Sequence, residues 1–250
     1  MAGDIRVSDP MSVVYPEVGA GGFTRYDGSI QFYGRVNSLL APGMQVLDLG
    51  AGRGCQFEGA SPFRTSLATL RGKVAKVTGV DVDEAVLDNP ELDEALVYDG
   101  KRLPFADASF DLVLSDWVLE HIHEPQLFAA EVERVLKPGG WFCARTPNAL
   151  SYVAFASRLV PNRLHAKVLS VIQKGSRKAE DVFPAAYKLN SLQSVRRHFP
   201  NARWNNYSYT YSPEPAYHFN KPLIIRLMAI AQYLKKPLAE ENLLVFVQKK

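Results

Sequence analysis

The sequence predicts an α/β fold built on a doubly wound, mostly parallel sheet, and three observations carry that prediction. Val46-Leu47-Asp48-Leu49 is an apolar run that stops abruptly in Gly50-Ala51-Gly52-Arg53-Gly54, as expected of a parallel strand covered on both faces and closed by a tight turn. Further short apolar runs follow at Lys76 to Val80, Ala95 to Tyr98, Leu112 to Leu114 and Trp141 to Ala144, with helical patterns or connecting segments between them. Gly50, Asp81, Asp99 and Ser115 all fall where these runs end, and sheets of this kind bind ligands outside the carboxyl ends of their strands.

Taken in order, residues 1–22 are rich in Gly, Pro and small polar residues, and 1–28 read as an arm or lid. From Ser29 to Leu40 the positions Ile30, Tyr33, Val36, Leu39 and Leu40 share a helical face, and Ala41-Pro42-Gly43 ends the helix. The first strand and its glycine turn follow. Gly59, Ser61 and Pro62 delay the next helix to about Phe63 to Leu70. Lys76 to Val80 is the second strand, with Asp81-Val82-Asp83 at its tip, and Asp99-Gly100 closes the third. The fourth strand ends at Ser115-Asp116-Trp117. Pro125 to Leu136 is helical by the spacing of Leu127, Phe128, Val132 and Val135, and Lys137-Pro138-Gly139-Gly140 terminates it before the fifth strand. A helix is expected at Ser191 to Phe199, a sixth strand within Asn201 to Tyr211 and a last strand at Leu243 to Gln248.

Composition narrows the setting. A chain of 250 residues with 47% hydrophobic content has ample material for one α/β unit with additions. The net charge of +3 is a mild surplus, compatible with an anionic substrate or membrane surface and short of a nucleic-acid signature. Cys55 and Cys143 are too few for a disulfide framework, and Met1 to Asp9 shows no charged start followed by an apolar core. A reducing cytoplasm is therefore the expected location.

The glycine turn defines the expected site. Alternate glycines let a ligand approach the backbone, with amide groups directed at it. The dinucleotide fingerprint G-x-G-x-x-G fails because Cys55 stands where its last glycine belongs, and no phosphate-loop pattern is present. What remains is G-x-G-x-G with Asp48 two places before it, an arrangement that favours a ligand carrying an amino group and no pyrophosphate. Asp81 lies where a carboxylate can accept hydrogen bonds from two vicinal ribose hydroxyls, at about the 20-residue spacing that strand, helix and strand require. Its plainer reading is a solvated aspartate at a strand end.

In these stretches the chain resembles the class I S-adenosylmethionine-dependent methyltransferases, in particular small-molecule enzymes such as those of quinone biosynthesis. The resemblance runs from about Met44 to Asn148 and rests on the run Val46 to Gly54, on Gly79-Val80-Asp81, on Leu103-Pro104-Phe105 with Ser109-Phe110-Asp111, and on Val135 to Gly140. It implies a Rossmann-like, seven-stranded sheet whose last strand is antiparallel, and S-adenosyl-L-methionine as cofactor. By the same resemblance Gly50, Gly52 and Gly54 shape the bed for its methionine part. Asp48 organises the loop or meets the amino group, Asp81 holds the ribose, Asp99 with the backbone of Gly100 reads the adenine, and Ser115 and Asp116 lie beside the reacting methyl. The delayed helix after Gly54 departs from the family pattern. Glu120-His121 resembles the family's Glu-His segment bordering the pocket, and the imidazole of His121 suits general-base work on a hydroxyl. Its plainer role is ordering the loop.

Two insertions in that pattern are expected to form a substrate cap, at about 149–189 and 212–241. In the first, Tyr152, Phe155, Ala156, Leu159 and Val160 share a helical face. Arg158, Arg163, His165, Lys167, Lys174, Arg177 and Lys178 supply cations suited to an acidic or phosphate-bearing substrate. Asp181-Val182-Phe183-Pro184, with Tyr187 and Asn190, resembles methyltransferases of surface-glycan pathways. In the second, Leu223, Leu227, Ile230 and Leu234 fall on one helical face with Lys221, Arg226, Lys235 and Lys236 around it. That face covers the protein's own core or contacts a membrane surface. The expected activity is methyl transfer to a small molecule, at oxygen, on an acidic, glycan-linked or lipid-linked acceptor. The alternative is a non-catalytic S-adenosylmethionine-binding regulator or assembly subunit. A nucleic-acid substrate is disfavoured, because Ser115-Asp116-Trp117-Val118 lacks the Asp/Asn-Pro-Pro-aromatic motif of amino-methylating DNA enzymes.

Overall fold

The central strand, β1 (Gln45–Leu49), pairs in parallel with β2 (Lys76–Asp81) on one side and β4 (Phe110–Asp116) on the other. The computed structural model describes residues 10–54, 61–151, 185–215, 221–234 and 240–250. From β1 the chain builds outward through β2 to β3 (Glu94–Val97), then returns to the other side through β4 and β5 (Leu136–Pro147). The sheet order is therefore β3-β2-β1-β4-β5-β8-β6. The reversal between β1 and β4 opens a crevice at their carboxyl ends, the place where open α/β sheets bind ligands.

β8 (Asn242–Lys249) runs antiparallel to β5, as the family resemblance implies. The expected sixth strand is present as two short pieces, β6 (Trp204–Asn206) and β7 (Tyr209–Tyr211), both antiparallel to β8. Among the described residues the sheet thus has eight strands in place of seven. The break is local: the Asn206 side chain accepts the Ser208 amide, and the Ser208 hydroxyl accepts the Phe246 amide, so side chains replace ladder bonds there. Lys137 to Gly140 follows the end of α4 at Val135, as expected. It falls inside the bounds of β5 but bulges from the ladder with Gly139 at φ 79°, and across it the register against β4 shifts between Phe110 and Leu112.

Side-chain alternation along the strands loads both faces of the sheet. Val113, Phe142, Leu243, Val245 and Val247 join one apolar layer, and Leu112, Leu114, Cys143, Leu244 and Phe246 the other. The first layer is covered by α4 (Pro125–Val135) through Val132 and Val135, and by Val195 of α5 (Leu192–His198). The second is covered by α2 (Gly28–Leu39) through Phe32, Tyr33 and Val36, with α3 (Pro62–Ala68) beside it. Asp27 caps α2, its carboxylate accepting the Ser29 and Ile30 amides at 2.9 Å each. Among the described residues the helix after the glycine turn begins at Pro62, behind the capping side chain of Ser61.

Within the N-terminal arm, α1 (Pro10–Val14) and the 3₁₀ turn Pro16–Gly19 pack against α6 (Pro222–Leu234), with Tyr15 and Val18 buried beside Ile225. Residues 1–9 of the arm lie outside the described residues. So do Cys55, the cations Arg158, Arg163, His165, Lys167, Lys174, Arg177 and Lys178, the apolar face Tyr152 to Val160, and Asp181 to Pro184. Among the described residues no helix is long and apolar enough to cross a membrane.

Candidate active site

The glycine turn leaves β1 at the switch point, with Gly50, Gly52 and Gly54 at φ of 82°, 49° and 76°. Two of these positions are closed by neighbours. A Cβ on Gly50 would stand 2.3 Å from a methyl of Val118, and one on Gly54 would stand 2.2 Å from Oδ1 of Asn89. Gly52 instead has nothing within 4 Å on that side. The turn is thus packed at its ends and open at its centre, the shape of a bed for a ligand.

Its amides correct the expectation drawn from the sequence. The Gly50 and Ala51 N–H groups donate to the Val80 carbonyl at 2.8 and 3.2 Å, and the Gly52 N–H donates to Oδ2 of Asp81 at 2.9 Å. Three donors expected to face a ligand are satisfied inside the fold, so the turn is no phosphate nest. Asn89 locks it from below, donating to the carbonyls of Ala51 and Gly52 at 3.0 Å each. Nothing local in the sequence marks that role, because Asn89 is 38 residues from Ala51.

Asp81 sits at the tip of β2. Its Oδ1 accepts the Asp83 amide at 3.0 Å while Oδ2 holds Gly52. A carboxylate offers about four lone-pair sites, so capacity remains for two hydroxyls of a ligand. Asp99, exposed after β3, accepts the amides of Lys101 and Arg102 at 2.9 and 3.1 Å, which hold its carboxyl below the usual carboxylate range. Gly100 beside it has φ of 75°.

Asp48 lies under the turn, with no cation paired to it among the described residues. Burial first, then the neighbouring carboxylates of Asp116 and Asp81, push its carboxyl up to about 7. A cationic group bound at this end of the sheet would favour the ionised form of Asp48. The sign of the resulting pH dependence follows from linkage. A carboxyl whose folded pKa is raised stabilises the fold fully below its unfolded value, and that contribution is lost as pH rises through about 7. Glu214, pushed up to about 7 by burial and Asp27, acts in the same direction. The ligand-free protein is expected to melt at a higher temperature near pH 5 than near pH 8, by a few degrees. Asp48→Asn should flatten part of that slope in thermal melts, and an unchanged profile would refute the assignment.

Ser115 and Asp116 differ from expectation, since neither side chain faces an open site. The Ser115 hydroxyl is fully buried and donates to the Leu49 carbonyl at 3.0 Å, tying the ends of β1 and β4 together. Asp116 receives a two-point fork from Arg145, Nε to Oδ1 at 2.7 Å and Nη2 to Oδ2 at 2.6 Å, and a third hydrogen bond from the Tyr33 hydroxyl at 3.0 Å. Arg145 reaches further, donating to the Ser29 hydroxyl at 2.9 Å and lying 5.1 Å from the centre of the Trp117 ring. Sequence reasoning passed over Arg145. The signal was there, because a guanidinium ending the apolar run Phe142-Cys143-Ala144 requires a buried partner.

His121 ends a short 3₁₀ turn, Leu119–His121, after β4 and is half-buried. The neighbouring Glu120 is buried, accepts the Thr146 hydroxyl at 2.8 Å, and through its carbonyl holds the amides of Ala186 and Tyr187. Burial pushes the Glu120 carboxyl up. Beyond His121 a cavity of about 800 Å³ is lined by His123, Glu124, Lys188, Arg197 and His198 with the start of α4. No residue of the glycine turn lines it.

Comparison with known proteins agrees with this geometry. Residues 47–144, from β1 into β5, match the model of a family described as a methyltransferase domain. A protein of Mycolicibacterium smegmatis assigned as an S-adenosylmethionine-dependent methyltransferase is 35% identical over 118 residues, 44% of this chain and 40% of that protein. UbiE of Burkholderia orbicola, a ubiquinone/menaquinone biosynthesis C-methyltransferase, is 31% identical over 109 residues, 40% of this chain and 42% of its own. The chain spans about two fifths of the length of these curated relatives. The solved structure of a SAM-dependent methyltransferase from Methanosarcina mazei shares the fold, with a TM-score of 0.53 at 19% identity over 86% of this chain and 96% of that one. Residues 47–144 are thus similar to a methyltransferase domain and to S-adenosylmethionine-dependent methyltransferases.

Proposed function

We propose that this protein binds S-adenosyl-L-methionine and moves its methyl group to an oxygen of a small, acidic, glycan-linked or lipid-linked acceptor. The observation that carries the reading is the Asp81 carboxylate, hydrogen-bonded to the Gly52 amide beside the one glycine of the turn that has open space above it. The residues fit the cofactor's chemistry. Asp81 retains acceptor capacity for a ribose, Asp48 is a carboxyl with no cation paired to it among the described residues, and the amides of Gly50, Ala51 and Gly52 are already held inside the fold. Asp99 and Gly100 lie at the adjoining strand end for the adenine. The bound sulfonium would supply an electrophilic methyl carbon. The protein's part is alignment and exclusion of water, and His121 is the group proposed to take a proton from the acceptor hydroxyl.

The acidic character of the acceptor is supported by the cavity beyond His121. Lys188 and Arg197 set two permanent positive charges, with His123 and His198, against the single carboxylate of Glu124. Lys188 also donates to the His123 carbonyl at 3.0 Å, joining the two sides of that cavity. Purified protein incubated with methyl-labelled cofactor and small-molecule cell extract is expected to release a labelled product that binds an anion-exchange resin and elutes with salt. Lys188→Glu combined with Arg197→Glu should lower that yield several-fold without changing cofactor affinity. A neutral labelled product would refute the acidic acceptor. Cofactor binding with no label transfer from any extract would favour the non-catalytic reading.

A further inference from the structure

One face of α6 is turned away from the molecule. Ile225 is fully buried against Tyr15 and Val18 of the arm, and the Gln232 side chain donates to the Pro213 carbonyl at 3.2 Å. With the helix held by that side, Leu223, Leu227, Ile230 and Leu234 point outward, 68%, 59%, 58% and 76% exposed. Their spacing of four, three and four puts them on a single ridge. Four large aliphatic side chains in one exposed row are unusual on a soluble surface. α1, packed against α6, adds Val13 at 54% exposure.

We infer that α6 is a membrane-surface helix, laying the ridge Leu223, Leu227, Ile230 and Leu234 into the interface of an anionic lipid bilayer. Charge selects this occupant. From Lys221 to Ala239 the sequence has four cations and no acidic residue: Lys221 and Arg226 in the described stretch, and Lys235 and Lys236 just after it in sequence, outside the described residues. Lys221 and Arg226 are exposed beside the ridge. An aliphatic row flanked by cations inserts into the headgroup boundary and meets negative lipid charge at its edges. Thirteen helical residues span about 20 Å, short of the roughly 30 Å of hydrocarbon in a bilayer, so the helix lies in the membrane plane. The inference stands apart from methyl transfer. It also connects to the candidate site, because the arm under α6 continues to Ser29, whose hydroxyl accepts from Arg145 at the end of β5. A protein docked by α6 would meet acceptors held in or on the bilayer.

Co-sedimentation of the full chain with vesicles tests this directly. The protein is expected to pellet with equimolar phosphatidylglycerol and phosphatidylcholine vesicles, weakly with phosphatidylcholine alone, and less at high salt. Leu227→Glu combined with Ile230→Glu should lower the partition coefficient about tenfold or more, with an unchanged melting temperature, since both side chains are already exposed. Lys221→Glu combined with Arg226→Glu should abolish the preference for anionic vesicles. Wild-type protein that stays in the supernatant at low salt, or a Leu227→Glu, Ile230→Glu variant that pellets like wild type, would overturn the inference. A wild-type dimer that this variant splits, without vesicle binding, would assign the ridge to contact between copies of the chain.

Discussion

Asp81→Ala is expected to lower the affinity for S-adenosylmethionine by about two to four orders of magnitude, measured by calorimetry. The carboxylate would give up two hydrogen bonds to the ribose, each with one charged partner and worth about 1.5–3 kcal/mol, and a tenfold change in affinity corresponds to about 1.4 kcal/mol. The variant also frees the Gly52 amide now held at 2.9 Å, so the turn loses its tie to β2. Asp81→Asn separates the two effects. Its remaining oxygen can hold Gly52 but cannot accept from two hydroxyls as well, so the turn should stay ordered while affinity falls by an intermediate amount. Equal affinity in wild type and both variants would mean that Asp81 is only a solvated strand-end aspartate and would remove the main support for the cofactor site.

Arg145→Leu is expected to destabilise the fold by about 3–5 kcal/mol, the usual cost of leaving one charge of a buried pair without its partner. The side chains of Arg145 and Asp116 are 5% and 3% exposed, so water cannot solvate the carboxylate left behind. The cost is a large share of the roughly 5–15 kcal/mol that holds a domain together, and chemical denaturation should show it as a lower midpoint at a similar slope. Removing both charges, with Asp116→Leu added, should recover part of the loss, and the double-mutant cycle measures the coupling. If Arg145→Leu alone costs under about 1 kcal/mol, the pair behaves as a surface ion pair and does not brace the end of the sheet. Because Arg145 also joins Ser29 of α2, the same variant should loosen the N-terminal side of the site.

The two expected results differ in how far they could be read from the sequence. The place of Asp81 at the tip of β2 was legible, because the evidence for it is local: a β-branched run, an acidic tip, and a glycine turn one strand, helix and strand earlier. The same holds for the place of Asp48 within β1 and for a helix that starts at Pro62 behind Ser61. The use of Asp116 was not legible. Its partners are Tyr33 and Arg145, 83 and 29 residues away, and no local pattern states which of several polar residues near a strand end will turn inward. The turn amides follow the same rule. Three alternate glycines predict a bend, but the acceptors that occupy its N–H groups come from β2.

Strand periodicity, glycine turns and caps act within a few residues, so the chain alone specified the alternation of strands and helices, the switch-point crevice and the resemblance to methyltransferase domains. Assembly settled what depends on distant contacts. It split the expected sixth strand at Asn206 and Ser208, and drew the Lys137 to Gly140 stretch into β5. It also closed Gly50 and Gly54 against Val118 and Asn89 while leaving Gly52 open. α6 shows the division most clearly. The sequence displays the row Leu223, Leu227, Ile230 and Leu234, yet the helix is apolar on nearly every side, so spacing could not choose which side is buried. Packing of Ile225 on Tyr15 and Val18 made that choice, because burying one side of a helix commits the other to whatever surrounds the protein.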